Sequence, residues 1–504
     1  VKSIDGNPAR PRKKARFDAV RQGDATSLVA PSTSHSSGAG SGGRSIFAVV
    51  DPPSARATTS HRRRAANARE APTVRYRARV LADAITRRLE RAPRTVVAAY
   101  AVVAAFATYF GMYAFRKPFA AASFEGETFL GTDLAAKTAY VIAQLLGYTA
   151  SKYLGVGIVP ALRDDRRARA LVLLVLLSEL ALLLFAVLPP DLRVIGIFAN
   201  GLPLGMVWGL VVRYLEGRRS SDALLAGLAT SFIVASGVVK DVGRWLVSEH
   251  GVSETWMPFA TGAVFLLPFV LSVWLLDRLP PPGAEDVAAR SPRPPMDRAM
   301  RRAFLRDHAA TLAPLFVVYV AATAYRDFRD NYGVELLEEL GLGDDAGVFT
   351  RTEVPIALVV LLALALLNVV RDHRRGLLTA YAMMAFGAAL VGLCTWLRAR
   401  GTIGGLEWMI AVGLGSYLIY VPYNTVLFER VVAATGTIGN AAFAIQLADA
   451  LGYTGSVGVQ LVKDLGASDA TRLGFFDTFG LALAGLGLVG FGWAAWRVPA
   501  SRDG

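Results

Sequence analysis

Cysteine is almost absent from this chain of 504 residues, and its one copy, Cys394, lies inside an apolar run. One thiol excludes an intramolecular disulfide and any multi-cysteine metal centre, and its setting reads as packing. Histidine is scarce too. The five copies (His35, His61, His250, His308 and His373) all sit away from the middle of an apolar run. That argues against a histidine proton relay or a metal site, and no cofactor is expected. Charge is thin at 19% of residues, against roughly 25% in soluble domains. Lysine is rare as well, with 8 copies beside 46 arginines, so any lysine in an apolar segment is informative.

What is present is hydrophobicity. It reaches 53% of residues, with a mean hydropathy of +0.40. Apolar segments of about 20 residues recur, the length that crosses a hydrocarbon core of about 30 Å. They fall at 96–124, 135–160, 169–188, 192–216, 222–247, 254–277, 309–331, 349–370, 376–398, 405–428, 436–462 and 472–496. Twelve spans exclude a soluble enzyme. Glycine pairs such as Gly404-Gly405 lie in loops or helix contacts, without the strand–turn–helix setting of a phosphate loop, so no catalytic residue is assigned.

The net charge of +14 is concentrated in residues 1–94, which hold 20 Lys and Arg against 7 Asp and Glu. This stretch is rich in Ser, Ala, Arg, Gly and Pro. It is expected to be a disordered basic cytoplasmic tail, with nucleic acid or anionic lipid as conceivable contacts and no specific nucleic-acid partner expected. Because the chain opens on Val1, the natural start is expected further along this arm. Loops after even-numbered spans are basic (Arg163, Arg166, Arg167, Arg169; Arg218, Arg219; Arg371, Arg374, Arg375), and those after odd-numbered spans are poor in cations. The bias places both termini in the cytoplasm. The Pro- and Arg-rich stretch 278–308 reads as a linker between halves 95–277 and 309–497, with 498–504 as a short tail. Phe115-Arg116 recurs as Phe328-Arg329, Glu216 as Glu429, and Lys240-Asp241 as Lys463-Asp464, at helix positions that correspond. A parallel six-plus-six duplication follows, the all-α architecture of major facilitator transporters.

Charge near the bilayer centre costs about 2.5–3.5 kcal/mol, so it marks functional candidates. These are Arg116, Lys117, Lys152 and Glu179 in the first half, and Arg326, Asp327, Arg329, Asp330 and Asp449 in the second. On a straight helix Arg116 would lie about 30 Å beyond Thr95, near the outer interface. Lys152 lies well inside the bilayer; it is either a ligand for an anion or the partner of Glu179. Unpaired central cations point to an anionic ligand, because arginine forks suit phosphate or carboxylate. Tyr109 and Tyr113 share the Arg116 face, as cavity hydroxyls or as an interfacial belt.

At these residues the chain resembles the organophosphate:phosphate antiporters of the major facilitator superfamily, the glycerol-phosphate and hexose-phosphate carriers. The resemblance rests on Tyr109, Tyr113, Arg116, Lys117 and Phe119 in span one and Ser151-Lys152-Tyr153 in span two. It continues with Gly205, Met206, Trp208 and Arg213 in span four, Leu418, Ile419, Tyr420 and Pro422 in span ten, and Gly452, Tyr453 and Gly455 in span eleven. Span one also resembles an uncharacterised bacterial membrane-protein family related to these antiporters. The resemblance implies that Arg116, Lys152 and one second-half arginine hold the substrate phosphate, with exchange for inorganic phosphate. Arg326 and Arg329 both qualify, and the Phe-Arg repeat favours Arg329. The family's span-five histidine is replaced here by Thr230, Ser231 and Ser236. The expected protein is therefore a monomeric carrier of small organic anions in the cell membrane. The alternatives are proton coupling through Glu179 or Asp449, or a transporter-like receptor that senses instead of moving its ligand.

Overall fold

The computed structural model describes residues 81–498 apart from 219–220, 284–285, 287–297, 346, 371, 436–440 and 467–469. Most of the basic tail, the middle of the linker and the last residues therefore lie outside the described residues. Residues 81–91, expected to be disordered, are helical instead. Ala82 and Leu89 are buried, and Thr86 donates to the carbonyl of Arg278 at 3.2 Å, so this segment has a surface to pack on.

The protein is an all-α membrane protein. Its first six spans are Arg94–Tyr113, Ala136–Ala161, Arg167–Val187, a broken fourth (Arg193–Leu204 and Val207–Leu215), Ser221–His250 and Met257–Leu276. The second six are Ala309–Asn331, Val348–Val369, His373–Ala399, a broken tenth (Gly405–Thr425 and Leu427–Thr435), Ala441–Leu461 and Arg472–Trp496. Ten of these are long and apolar enough to cross a membrane on those grounds alone. The other two, spans two and eleven, pack against each other across the two halves. They are the more polar pair because each turns Lys152 or Asp449 inward instead of presenting only aliphatic side chains to lipid.

Span one ends at Tyr113, eleven residues earlier than its apolar run to 124 suggests. Pro118 has no N–H, and its ring excludes the carbonyl four residues back, so helix gives way to a turn and a short 3₁₀ segment at Pro118–Ala121. Carbonyls freed at the helix end need donors. Asn200 Nδ2 donates to the Phe115 carbonyl at 2.9 Å, and Gln144 Nε2 donates to that of Arg116 at 2.9 Å. The turn is thus pinned by spans two and four. Span four itself breaks at Gly205, where a Cβ would stand 2.6 Å from the Tyr148 carbonyl oxygen. Only glycine permits that approach to span two.

The halves meet at the end of the bundle where odd-numbered spans finish, here called the far end. Lys117 and Lys240 both pair with Asp330 at 2.5 Å, and Lys137 pairs with Glu335 at 2.7 Å. Arg244 donates to the Gly343 carbonyl and Ser236 to Asp330. Between described residues, every hydrogen bond or ion pair joining the halves lies at this end or at the Lys152–Asp449 level.

Candidate functional site

A cluster of arginine, lysine and tyrosine side chains lies between the halves, below the far-end closure. Arg116 enters it from the turn after span one, not from a straight helix, which brings its side chain inward. It is 5% exposed, and its guanidinium stands 4.0 Å over the Tyr148 ring and 5.7 Å from that of Tyr113. No hydrogen bond to that guanidinium is formed by any described residue, and its Nε is buried without a partner. Arg326 belongs to the other half, on span seven. Arg326 stacks 3.8 Å over Tyr420 and pairs with Asp327 at 2.6 Å.

The expectation of several unpaired central cations is corrected. Lys152 pairs with Asp449 across the halves at 2.7 Å, and Tyr319 donates to the same carboxylate at 2.5 Å. Lys117 belongs to the far-end closure, donating to Asn331 Oδ1 at 2.9 Å besides pairing with Asp330. Arg329 is engaged within the second half, by Glu353 at 2.5 Å and the Met409 carbonyl at 3.1 Å. Burying a charge beside its counter-ion costs far less than burying it alone, so each has found one. Arg116 is the cation in this cleft that has not, among the described residues.

Glu179 is not brought to Lys152. Its carboxylate fills the space beside Gly262 of span six, where a Cβ would collide with it. Both oxygens are buried without a hydrogen-bond partner among the described residues. Glu179 therefore sits between spans three and six, apart from the cluster.

Several residues of the cleft escaped the sequence reading. Tyr148 precedes Lys152 by one helical turn and shares its face. A stronger signal was the spacing Tyr109-x6-Arg116, which recurs as Tyr319-x6-Arg326 with both residues displaced by 210. That repeat selects Arg326, whereas the Phe-Arg dipeptide selected Arg329. Trp208 lies 4.9 Å from Tyr109, and Phe232 lies 6.4 Å from Trp208. Tyr420 lies 6.3 Å from Phe232 and 5.4 Å from Tyr319, so aromatic rings run from one half to the other.

Residues 118–496 match a family of unknown function, DUF5690. The chain belongs to this family. The DUF5690 match begins just after Arg116-Lys117 and takes in the rest of the bundle. No curated protein matches the chain. Among solved structures, the crystal structure of a D-xylose-proton symporter is 13% identical, covers 81% of this chain and 98% of that one, and gives a TM-score of 0.53. The nucleoside transporter NupG is 14% identical over 80% of this chain and 100% of that one, with a TM-score of 0.52. The xylose transporter XylE from E. coli, in a partially occluded inward-open conformation, is 13% identical over 81% and 98%, with a TM-score of 0.52. Such identities speak to fold. The twelve-helix, two-half arrangement of this DUF5690 chain is the major facilitator fold.

Proposed function

We propose that this protein is a secondary carrier of small organic anions, phosphorylated ones among them, which works by alternating access as a monomer in the cell membrane with both termini cytoplasmic. The observation that carries this reading is Arg116, a buried guanidinium between the two halves with no carboxylate beside it among the described residues. A carboxylate or phosphate group would take its N–H fork in two parallel bonds. Arg326, stacked on Tyr420 in the other half, would be the second cation of the site, and an anion held by both would draw the halves together. Lys152 stays with Asp449 and links the halves beside the bound anion. Inorganic phosphate as counter-substrate is the mode that the antiporter resemblance supports.

The far-end closure matches one of the two states such a carrier needs, because it seals one side of the cleft with hydrogen bonds and ion pairs that can separate. Counterflow in proteoliposomes with labelled phosphate, organic phosphates and carboxylates tests the assignment. Exchange of any of these anions that is lost in Arg116→Gln supports it. A folded protein that exchanges none of them is not an anion carrier.

A second reading rests on Asp449. Protonation of this carboxylate would release Lys152 and loosen the central link between spans two and eleven, so proton entry would itself favour movement of the halves. Uptake driven by a pH gradient and abolished in Asp449→Asn is the expected behaviour under that coupling.

A further inference from the structure

We infer that the substrate carries a single negative charge on a flat, ring-bearing body; this rests on the anion-carrier reading and narrows it. Counter-ions decide the charge. Lys117 and Lys240 pair with Asp330, Lys152 with Asp449, and Arg326 with Asp327 through one N–H. The five N–H donors of Arg116 meet no acceptor among the described residues, only the faces of tyrosine rings. Arg116 alone among these cations has no carboxylate beside it among the described residues, and its fork fits one carboxylate or one monoanionic phosphoester. A second charge on the ligand would have to draw Lys152 away from Asp449 and leave that carboxylate buried beside Tyr319 without its cation, which is costly.

The shape follows from the aromatic belt. Trp208 and Phe232 are partly or wholly buried at the middle of the first half, and they connect Tyr109 to Tyr417 and Tyr420 of the second. The rings pack on one another in the closed far-end state, and as the halves part they would offer a ligand flat apolar faces that hold planar bodies by offset stacking or edge contact. A small hydrophilic anion would leave this surface unused. The Arg116 guanidinium and the belt meet through Tyr113, whose ring stands 5.7 Å from that guanidinium and 5.7 Å from the Tyr109 ring. Charge and ring therefore belong to one ligand.

The test uses the purified full chain in lipid nanodiscs at pH 8, titrated calorimetrically with benzoate, acetate, benzyl alcohol and inorganic phosphate. Benzoate should bind about tenfold or more tightly than each of the other three. Arg116→Gln should weaken benzoate by about 10–100-fold, Arg116→Lys by less, and Phe232→Leu should shrink the advantage of benzoate over acetate. The probe series on the unmodified protein stands even where a variant fails to fold. If phosphate or acetate equals benzoate, the ring-bearing monoanion is overturned and the anion carrier survives. If benzyl alcohol equals benzoate, charge is not read and the anion-carrier reading falls as well. Absence of binding by all four overturns both.

Discussion

Asp241, on the fifth span, accepts the backbone N–H of Thr350 at 2.7 Å and so caps the first turn of the eighth span, which belongs to the opposite half. Its counterpart in the repeat, Asp464, lies just past span eleven and accepts from the side-chain hydroxyl, not the backbone, of Thr138 in the first turn of span two, with Arg472 at 3.1 Å. The duplicated Lys-Asp dipeptide thus builds two latches across the far-end closure, one on backbone N–H groups and one on a hydroxyl. A carboxylate at a helix N-terminus satisfies free N–H groups and complements the positive end of the helix.

Removing a latch should open the far end. A capping carboxylate contributes about 0.5–2 kcal/mol, so Asp241→Ala should raise the open population by up to about 30-fold. A cysteine in place of the buried Ala121, in a Cys394→Ser background, reports this through its rate of labelling by a membrane-impermeant maleimide. Asp464→Ala should act in the same direction. Unchanged labelling in both variants would dismiss the latches.

Span five approaches span eight closely at Gly237, where a Cβ would stand 2.8 Å from the Phe349 carbonyl oxygen. Gly237→Val should therefore prevent full closure at the far end, at a cost of about 1–3 kcal/mol from overpacking. The same cysteine reporter should label faster, and transport should fall although the protein remains inserted.

Lys152 and Asp449 should behave as a pair in thermal unfolding. The Lys152 side chain is 26% exposed, so the loss in Lys152→Ala lies below the 3–5 kcal/mol of a fully buried pair. Combining it with Asp449→Asn should recover most of the melting temperature. Combining it with Glu179→Ala should recover none, because those two side chains do not meet. Rescue by the Glu179 change instead would contradict the geometry.

Arg329 and Glu353 are both almost fully buried, so Glu353→Ala should cost about 3–5 kcal/mol by stranding the guanidinium. Replacing both by apolar residues of similar volume should restore stability and retain counterflow. A stable double variant without transport would move Arg329 into the binding machinery.

Glu179 should be dispensable for binding. Glu179→Gln keeps the volume beside Gly262 and removes a carboxylate that has no partner, so stability should hold or rise slightly. Counterflow and its pH profile should match those of the unmodified protein. A lost pH response would make Glu179 a proton site.

By itself the sequence determined the twelve spans, the duplication and the small set of charges that lipid would not tolerate, because each depends on local composition and helix length. Hydropathy needs no partner to be read. It could not determine which of those charges neutralise one another. Lys152 meets Asp449, 297 residues away, and Arg329 meets Glu353 instead of the cleft, and both pairings depend on how separate helices pack. The inward turn of Arg116 likewise needed the break at Pro118 together with Gln144 and Asn200 from other spans. Tertiary structure alone decided that Arg116 is left without a partner among the described residues, since a vacancy is defined by everything packed around it.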